Sequence, residues 1–128
     1  MNDQTTSIDQ LKQLVDRFVT DRDWHQFHAP KNLTMALAVE AAELMEHFQW
    51  IDAAESRQLD DSHRRQLVCD EMADVLAYLL ALANQLDVDL AATLAAKMQK
   101  NAQKYPVDQY FGRAGGDQKH AQTDPPCD

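Results

Sequence analysis

Residues 66–83 read QLVCDEMADVLAYLLALA. Leu67, Val68, Met72, Val75, Leu76, Leu79, Leu80 and Ala83 recur at helical spacing, and Leu86 continues the series. Apolar groups occupy much of this helix's circumference, so it needs cover on several sides. A small bundle could supply that cover, and a contact between subunits would supply it more fully; an oligomer is expected. Inside the apolar pattern stand Glu71 and Asp74. The same oddity occurs upstream, where residues 34–50 read TMALAVEAAELMEHFQW and place Glu40 and Glu43 beside a good apolar stripe.

Both stretches belong to an all-α chain of four predicted helices with no convincing strand. The first runs from about Ser7 to Arg22, with Ile8, Leu11, Val15, Phe18 and Val19 at helical spacing and Ser7 with Gln10 resembling a capping box. DRDWHQFHAPK breaks the pattern, and Pro30 marks the end of that connection. The second runs from about Asn32 to Trp50, the third from about Ser62 to Leu86, and the fourth from about Leu90 to Lys104, stopped before Pro106. One domain over residues 1–111 is expected, with a disordered tail over 112–128.

Composition excludes several classes. With 21 acidic and 12 basic residues the formal net charge is -9, which argues against binding a nucleic-acid polymer through the protein's own field. The three glycines, Gly112, Gly115 and Gly116, all lie near the C-terminus, so the body of the chain holds no glycine-rich phosphate loop. Phosphate would have to be held by side chains, helix ends and metal. Cys69 and Cys127 form neither a disulfide framework nor a zinc spacing. The opening MNDQTTSIDQ is polar, and the longest apolar run, Val75 to Ala83, falls far short of the roughly 20 residues that span a bilayer. No membrane association and a cytoplasmic location are expected.

At about 100° per residue, Leu33, Leu37, Leu44, Phe48 and Ile51 share one sector of the second helix, with Glu40 at its edge and Glu43 about 60° beyond. His47 falls between the two acids. On the third helix Leu67, Val75, Leu79, Leu82 and Leu86 define the sector, with Glu71 at its edge, Asp74 about 60° further and Tyr78 between. Packed antiparallel, the two helices could bring four carboxylates together. Such a cluster repels itself and takes up protons unless a cation enters. Mg²⁺ suits it: a hard ion with oxygen ligands that completes its shell with water and substrate phosphates. Any single carboxylate pair three residues apart reads more plainly as a solvated helix face. Two pairs with matching offsets weaken that plainer reading.

The order Glu40-x-x-Glu43, 27 intervening residues, Glu71-x-x-Asp74 resembles the metal signature of the all-α nucleoside triphosphate pyrophosphohydrolases, the MazG-like superfamily. RDWHQFHAPKNL, EAAELMEHFQW, DEMADVLAYLLALA and KMQKNAQKYP are together similar to its dCTP pyrophosphatase branch, over about Ser7 to Pro106. The resemblance implies a four-helix fold assembled as dimers or as tetramers made of two dimers. It implies hydrolysis of a nucleoside triphosphate between the α and β phosphates, with Mg²⁺ or in its place Mn²⁺, to clear unwanted nucleotides from the pool. By position, Glu40, Glu43, Glu71 and Asp74 would be metal ligands and catalytic acids, one of them orienting the attacking water. Lys97, Asn101, Lys104 and Tyr105 would bind the nucleotide and its phosphates, and His28, Trp50 and Tyr78 the base. Trp24 and Phe27 could also frame a base by stacking, and read equally well as core anchors of the loop that carries them.

Two rival classes compete with this reading. A carboxylate-bridged di-iron or di-manganese bundle would carry Glu-x-x-His motifs, and neither acidic pair has a histidine at that position. A non-catalytic helical interaction module would carry the quartet incidentally.

Overall fold

The computed structural model describes residues 1–113, so residues 114–128 of the expected tail lie outside the described residues. Among the described residues every regular element is helical. The chain forms two compact units, Met1–Leu90 and a second from Ala91 onward.

The first unit begins with α1 (Ile8–Thr20). Its capping box is formed: Gln10 N donates to Ser7 Oγ at 3.2 Å, and Ser7 N donates to Gln10 Oε1 at 2.8 Å. These two bonds satisfy donors that a helix start otherwise leaves open. The helix ends two residues before the predicted Arg22. A left-handed Asp23 (φ 53°) then turns the chain into a short 3-10 helix, Trp24–Phe27, which periodicity did not predict.

Helix α2 (Pro30–Glu46) starts on the proline itself. Pro30 has no N–H to leave unsatisfied, and its fixed φ suits the first helical position. The helix stops four residues before Trp50. Phe48 N and Gln49 N both donate to Met45 O at 3.0 Å, so one carbonyl serves two donors and the ladder closes. A second 3-10 turn, Glu55–Arg57, lies in the connection that follows.

Helix α3 (Ser62–Gln85) begins where its sequence predicts, capped by Asp61, whose Oδ1 accepts from His63 N at 2.9 Å. It ends as Val88 N reaches back to Ala83 O at 2.9 Å across a left-handed Asp87 (φ 51°). This helix is the centre of the unit, packed against α2 on one side and α1 on another. Val68, Leu80, Ala81 and Ala83 of α3 are buried together with Val19 of α1 and Leu33 of α2, which is 2% exposed. Polar bonds fix the far end: Lys12 Nζ donates to Val88 O and Asn84 Nδ2 to Lys12 O, both at 3.0 Å.

Apolar surface nevertheless stays open on this chain. Met35 (62% exposed) and Val39 on α2, and Met72 (57%), Leu76 and Leu79 on α3, are uncovered. Among the described residues no single helix is long and apolar enough to cross a membrane.

The second unit contains most of α4 (Leu90–Lys104), whose bounds match the sequence expectation, and a single further turn, α5 (Val107–Tyr110), behind Pro106. Tyr105 and Tyr110 meet edge to face with ring centroids 5.1 Å apart, which ties α5 to the end of α4.

Candidate active site: an acidic cluster beside an aromatic cavity

Burial of the α2 stripe decides where its acids go. With Leu33 buried and Leu37, Leu44 and Phe48 half-buried, Glu40 is carried to the edge of the α2–α3 contact. On α3, half-buried Val75 and Leu82 do the same for Glu71. The helices therefore bring together one carboxylate oxygen from each of Glu40, Glu43 and Glu71, all within 4.8 Å of one another. Glu40 and Glu71 are half-buried and Glu43 is exposed.

Two features mark this cluster as electrostatically unsatisfied. Glu71 Oε2 is buried without a hydrogen-bond partner among the described residues, an arrangement that costs free energy unless something compensates it. The carboxyl of Glu40 is pushed above its ordinary range, first by burial, then by the charges of Glu43, Asp74 and Glu71, and by a hydrogen bond with Glu43. Asp74, itself exposed, thus acts on the cluster through its charge. An all-carboxylate set with an orphaned buried oxygen fits a hard divalent cation and offers nothing to a soft one. His47 plays no part in this set through its ring. Its backbone carbonyl, at the C-terminal cap of α2, accepts a hydrogen bond from the Arg64 guanidinium of α3.

Asp74 also lines a cavity of about 140 Å³ with Phe18, Trp24, His28 and Tyr78. Phe18 and Trp24 stand edge to face, centroids 5.8 Å apart, and the Arg22 guanidinium sits 3.6 Å from the Phe18 ring centroid. His28 is half-buried, and its pKa is lowered by burial first and by His25 second. The structure thus groups the predicted His28 and Tyr78 with Asp74. It adds Phe18, read in the sequence only as core, and places Trp24, packed against Phe18, in the cavity wall. No spacing rule joins the end of α1 to a 3-10 turn, so the sequence held no signal for that pairing. Trp50 is elsewhere: it follows α2, is 88% exposed, and is not part of the cavity lining. A larger depression of about 430 Å³ runs along α1 past Asp9, Asp16 and Arg17, but it is shallow, of mixed charge, and apart from the acidic cluster.

Lys97, Asn101, Lys104 and Tyr105 belong to the second unit. Lys97 and Lys104 are exposed and Asn101 is half-buried. Tyr105 N donates to Asn101 O at 2.8 Å, and Lys104 Nζ lies 5.2 Å from the Tyr105 ring centroid. Lys97, Asn101 and Lys104 lie along α4, and Tyr105 follows its last residue.

Residues 35–115 match the model of the MazG-like family. The chain belongs to that family. The matched span carries all four acids and the α4 residues, while Trp24 and His28 precede it. This MazG-like chain is 41% identical to dCTP pyrophosphatase 1 of Rattus norvegicus over 109 residues, which cover 84% of the chain and 64% of the rat protein. It therefore spans somewhat less than two thirds of that relative's length. To the protein of the same name from Homo sapiens it is 35% identical over 134 residues, 95% of this chain and 79% of the human one. Among solved structures, a pyrophosphatase from Archaeoglobus fulgidus superposes with a TM-score of 0.72 at 33% identity, covering 83% of this chain and 98% of the other.

Proposed function

We propose that the chain is a Mg²⁺-dependent nucleoside triphosphate pyrophosphohydrolase. Its substrate is a deoxynucleoside triphosphate, dCTP or a modified pyrimidine relative, which it converts to monophosphate and pyrophosphate and so removes from the nucleotide pool. The observation that carries this reading is the buried, unpartnered Glu71 oxygen within an all-carboxylate cluster. The relatives named dCTP pyrophosphatase 1 and the solved pyrophosphatase support it.

Glu40, Glu43, Glu71 and Asp74 would hold the metal. Mg²⁺, or Mn²⁺ in its place, would neutralise the triphosphate and stabilise charge on the transferring phosphoryl. One carboxylate accepts a hydrogen bond from the attacking water and orients it in line with the leaving pyrophosphate. As the water oxygen bonds to the α phosphorus, the α–β anhydride bond breaks. The aromatic cavity receives the base, with Tyr78 and His28 as its polar contacts. A neutral His28, favoured by its burial, offers one donor and one acceptor to the base edge. Trp50 is assigned to the base as well, and Lys97, Asn101, Lys104 and Tyr105 to the phosphates. Uncovered Met35, Val39, Met72 and Leu76 support assembly into a homodimer or homotetramer. A cytoplasmic location suits a substrate found there.

Pyrophosphate release from a panel of triphosphates, with and without Mg²⁺, tests the proposal. Turnover that requires Mg²⁺ and favours dCTP is expected. Bound iron with oxygen-dependent absorbance would point instead to the di-metal class. Absence of both turnover and metal-linked stabilisation would point to an interaction module.

A further inference from the structure

His25 lies outside both the acidic cluster and the cavity lining, yet three side chains from two helices converge on its ring. Nε2 is 3.0 Å from Thr20 Oγ1 and 3.6 Å from Asp16 Oδ1, both on α1. Nδ1 is 3.4 Å from Gln85 Nε2, at the end of α3. The Gln85 amide meets Nδ1 on one side of the ring, while Thr20, with the Asp16 carboxylate behind it, meets Nε2 on the other. The ring thus spans the ends of α1 and α3.

The backbone of His25 belongs to the short helix Trp24–Phe27, and its carbonyl accepts from His28 N at 3.1 Å. Its chain neighbour Trp24 and its helical-turn neighbour His28 are two walls of the aromatic cavity. His25 and His28 also line one small cleft with Asp16 and Gln85. The segment is entered through the left-handed Asp23, a backbone conformation that L-residues adopt sparsely. A four-residue 3-10 helix has little cohesion of its own.

We infer that His25 is a positioning residue, clamping the Trp24–Phe27 turn to α1 and α3 so that Trp24 and His28 hold the shape of the base pocket. The inference rests on the substrate class proposed above. It assigns His25 to nucleotide recognition and leaves phosphate and metal handling to the acidic cluster.

The test uses the full chain with His25→Ala and, independently, Gln85→Leu, which unclamps the ring without touching the turn. Steady-state hydrolysis of dCTP is measured alongside inhibition by inorganic pyrophosphate, which has no base to place. Trp24 emission is read in a Trp50→Phe background, where Trp24 is the sole tryptophan. Expected for His25→Ala are a KM raised about fivefold, the scale of one lost hydrogen bond, and kcat within about twofold. Pyrophosphate inhibition should be unchanged, and Trp24 emission red-shifted and more readily quenched by iodide. Gln85→Leu should move KM and emission the same way. An unaltered KM, or pyrophosphate inhibition weakening in step with it, overturns the clamp. If the unaltered chain hydrolyses no triphosphate, the substrate reading fails. Trp24 emission then decides the clamp alone: a shift in both variants upholds it, and an unmoved spectrum overturns it.

Discussion

Arg64, in the first turn of α3, donates its guanidinium hydrogen bond to the carbonyl of His47, the residue that caps the C-terminus of α2. A cation there meets carbonyls that a helix end leaves open and the negative pole of its dipole. The bond also joins the two helices whose acids converge. Arg64→Met is expected to lower stability by about 1–3 kcal/mol, read as a fall in the urea midpoint. It should also weaken Mg²⁺ binding measured by calorimetry, because Glu43 lies one turn before the released cap. Arg64→Lys should restore stability only in part, since a lysine lacks the planar fork.

Glu71→Gln separates chemistry from folding. The substitution keeps the side chain's shape and removes the charge of a half-buried carboxylate whose Oε2 has no hydrogen-bond partner among the described residues. Pyrophosphate release should be abolished while the helical circular dichroism is retained. Without metal, the melting temperature should hold or rise, because one charge of a mutually repelling carboxylate cluster has gone. An active Glu71→Gln protein would reject the site.

The raised Glu40 carboxyl gives a pH dependence with a definite sign. In the metal-free fold Glu40 holds its proton to higher pH than in the unfolded chain. Between those two pKa values the folded state binds more protons, so this group's contribution to stability falls as pH rises through that window. In chelator the native chain should therefore lose more stability than Glu40→Gln as pH rises from the ordinary glutamate range through the elevated one. Mg²⁺ should reverse the trend, because metal and proton compete for one cluster. Paired urea titrations across mildly acid pH, with and without metal, read both effects.

Alanine at Trp24 and at Trp50 tests two separate assignments to the base. Trp24→Ala removes a wall of the cavity and is expected to raise KM for dCTP roughly tenfold, within the range for one base-stacking contact. Trp50 is 88% exposed in the single chain. If it meets the base as its assignment requires, Trp50→Ala raises KM by a comparable factor; an unchanged KM removes it from the base site.

Much of the fold was legible because apolar spacing and caps are local. Ser7 with Gln10, the Ser62 start of α3 and the Lys104 end of α4 all follow from nearest neighbours in the chain. The end of α2 was misjudged because Phe48 and Ile51 continue the apolar stripe through a turn that is no longer helical. Side-chain periodicity does not report which carbonyl a backbone N–H has found. Convergence of Glu40, Glu43 and Glu71 was legible for a different reason: acids at matching offsets on two packed helices have few places to go. The cavity wall was not. Phe18 and Trp24 meet only because Asp23 takes a left-handed turn, and hydrophobic spacing carries no signal for that torsion.

The open methionines of α2 and α3 carry a chemical consequence. Met35 on α2 and Met72 on α3 each leave apolar side-chain surface uncovered in the single chain. Oxidation to sulfoxide would make that surface polar and deprive any pairing of its attraction. Exposure to peroxide at high dilution should therefore modify these two sulfurs readily, and the modified chains should no longer associate when concentrated again.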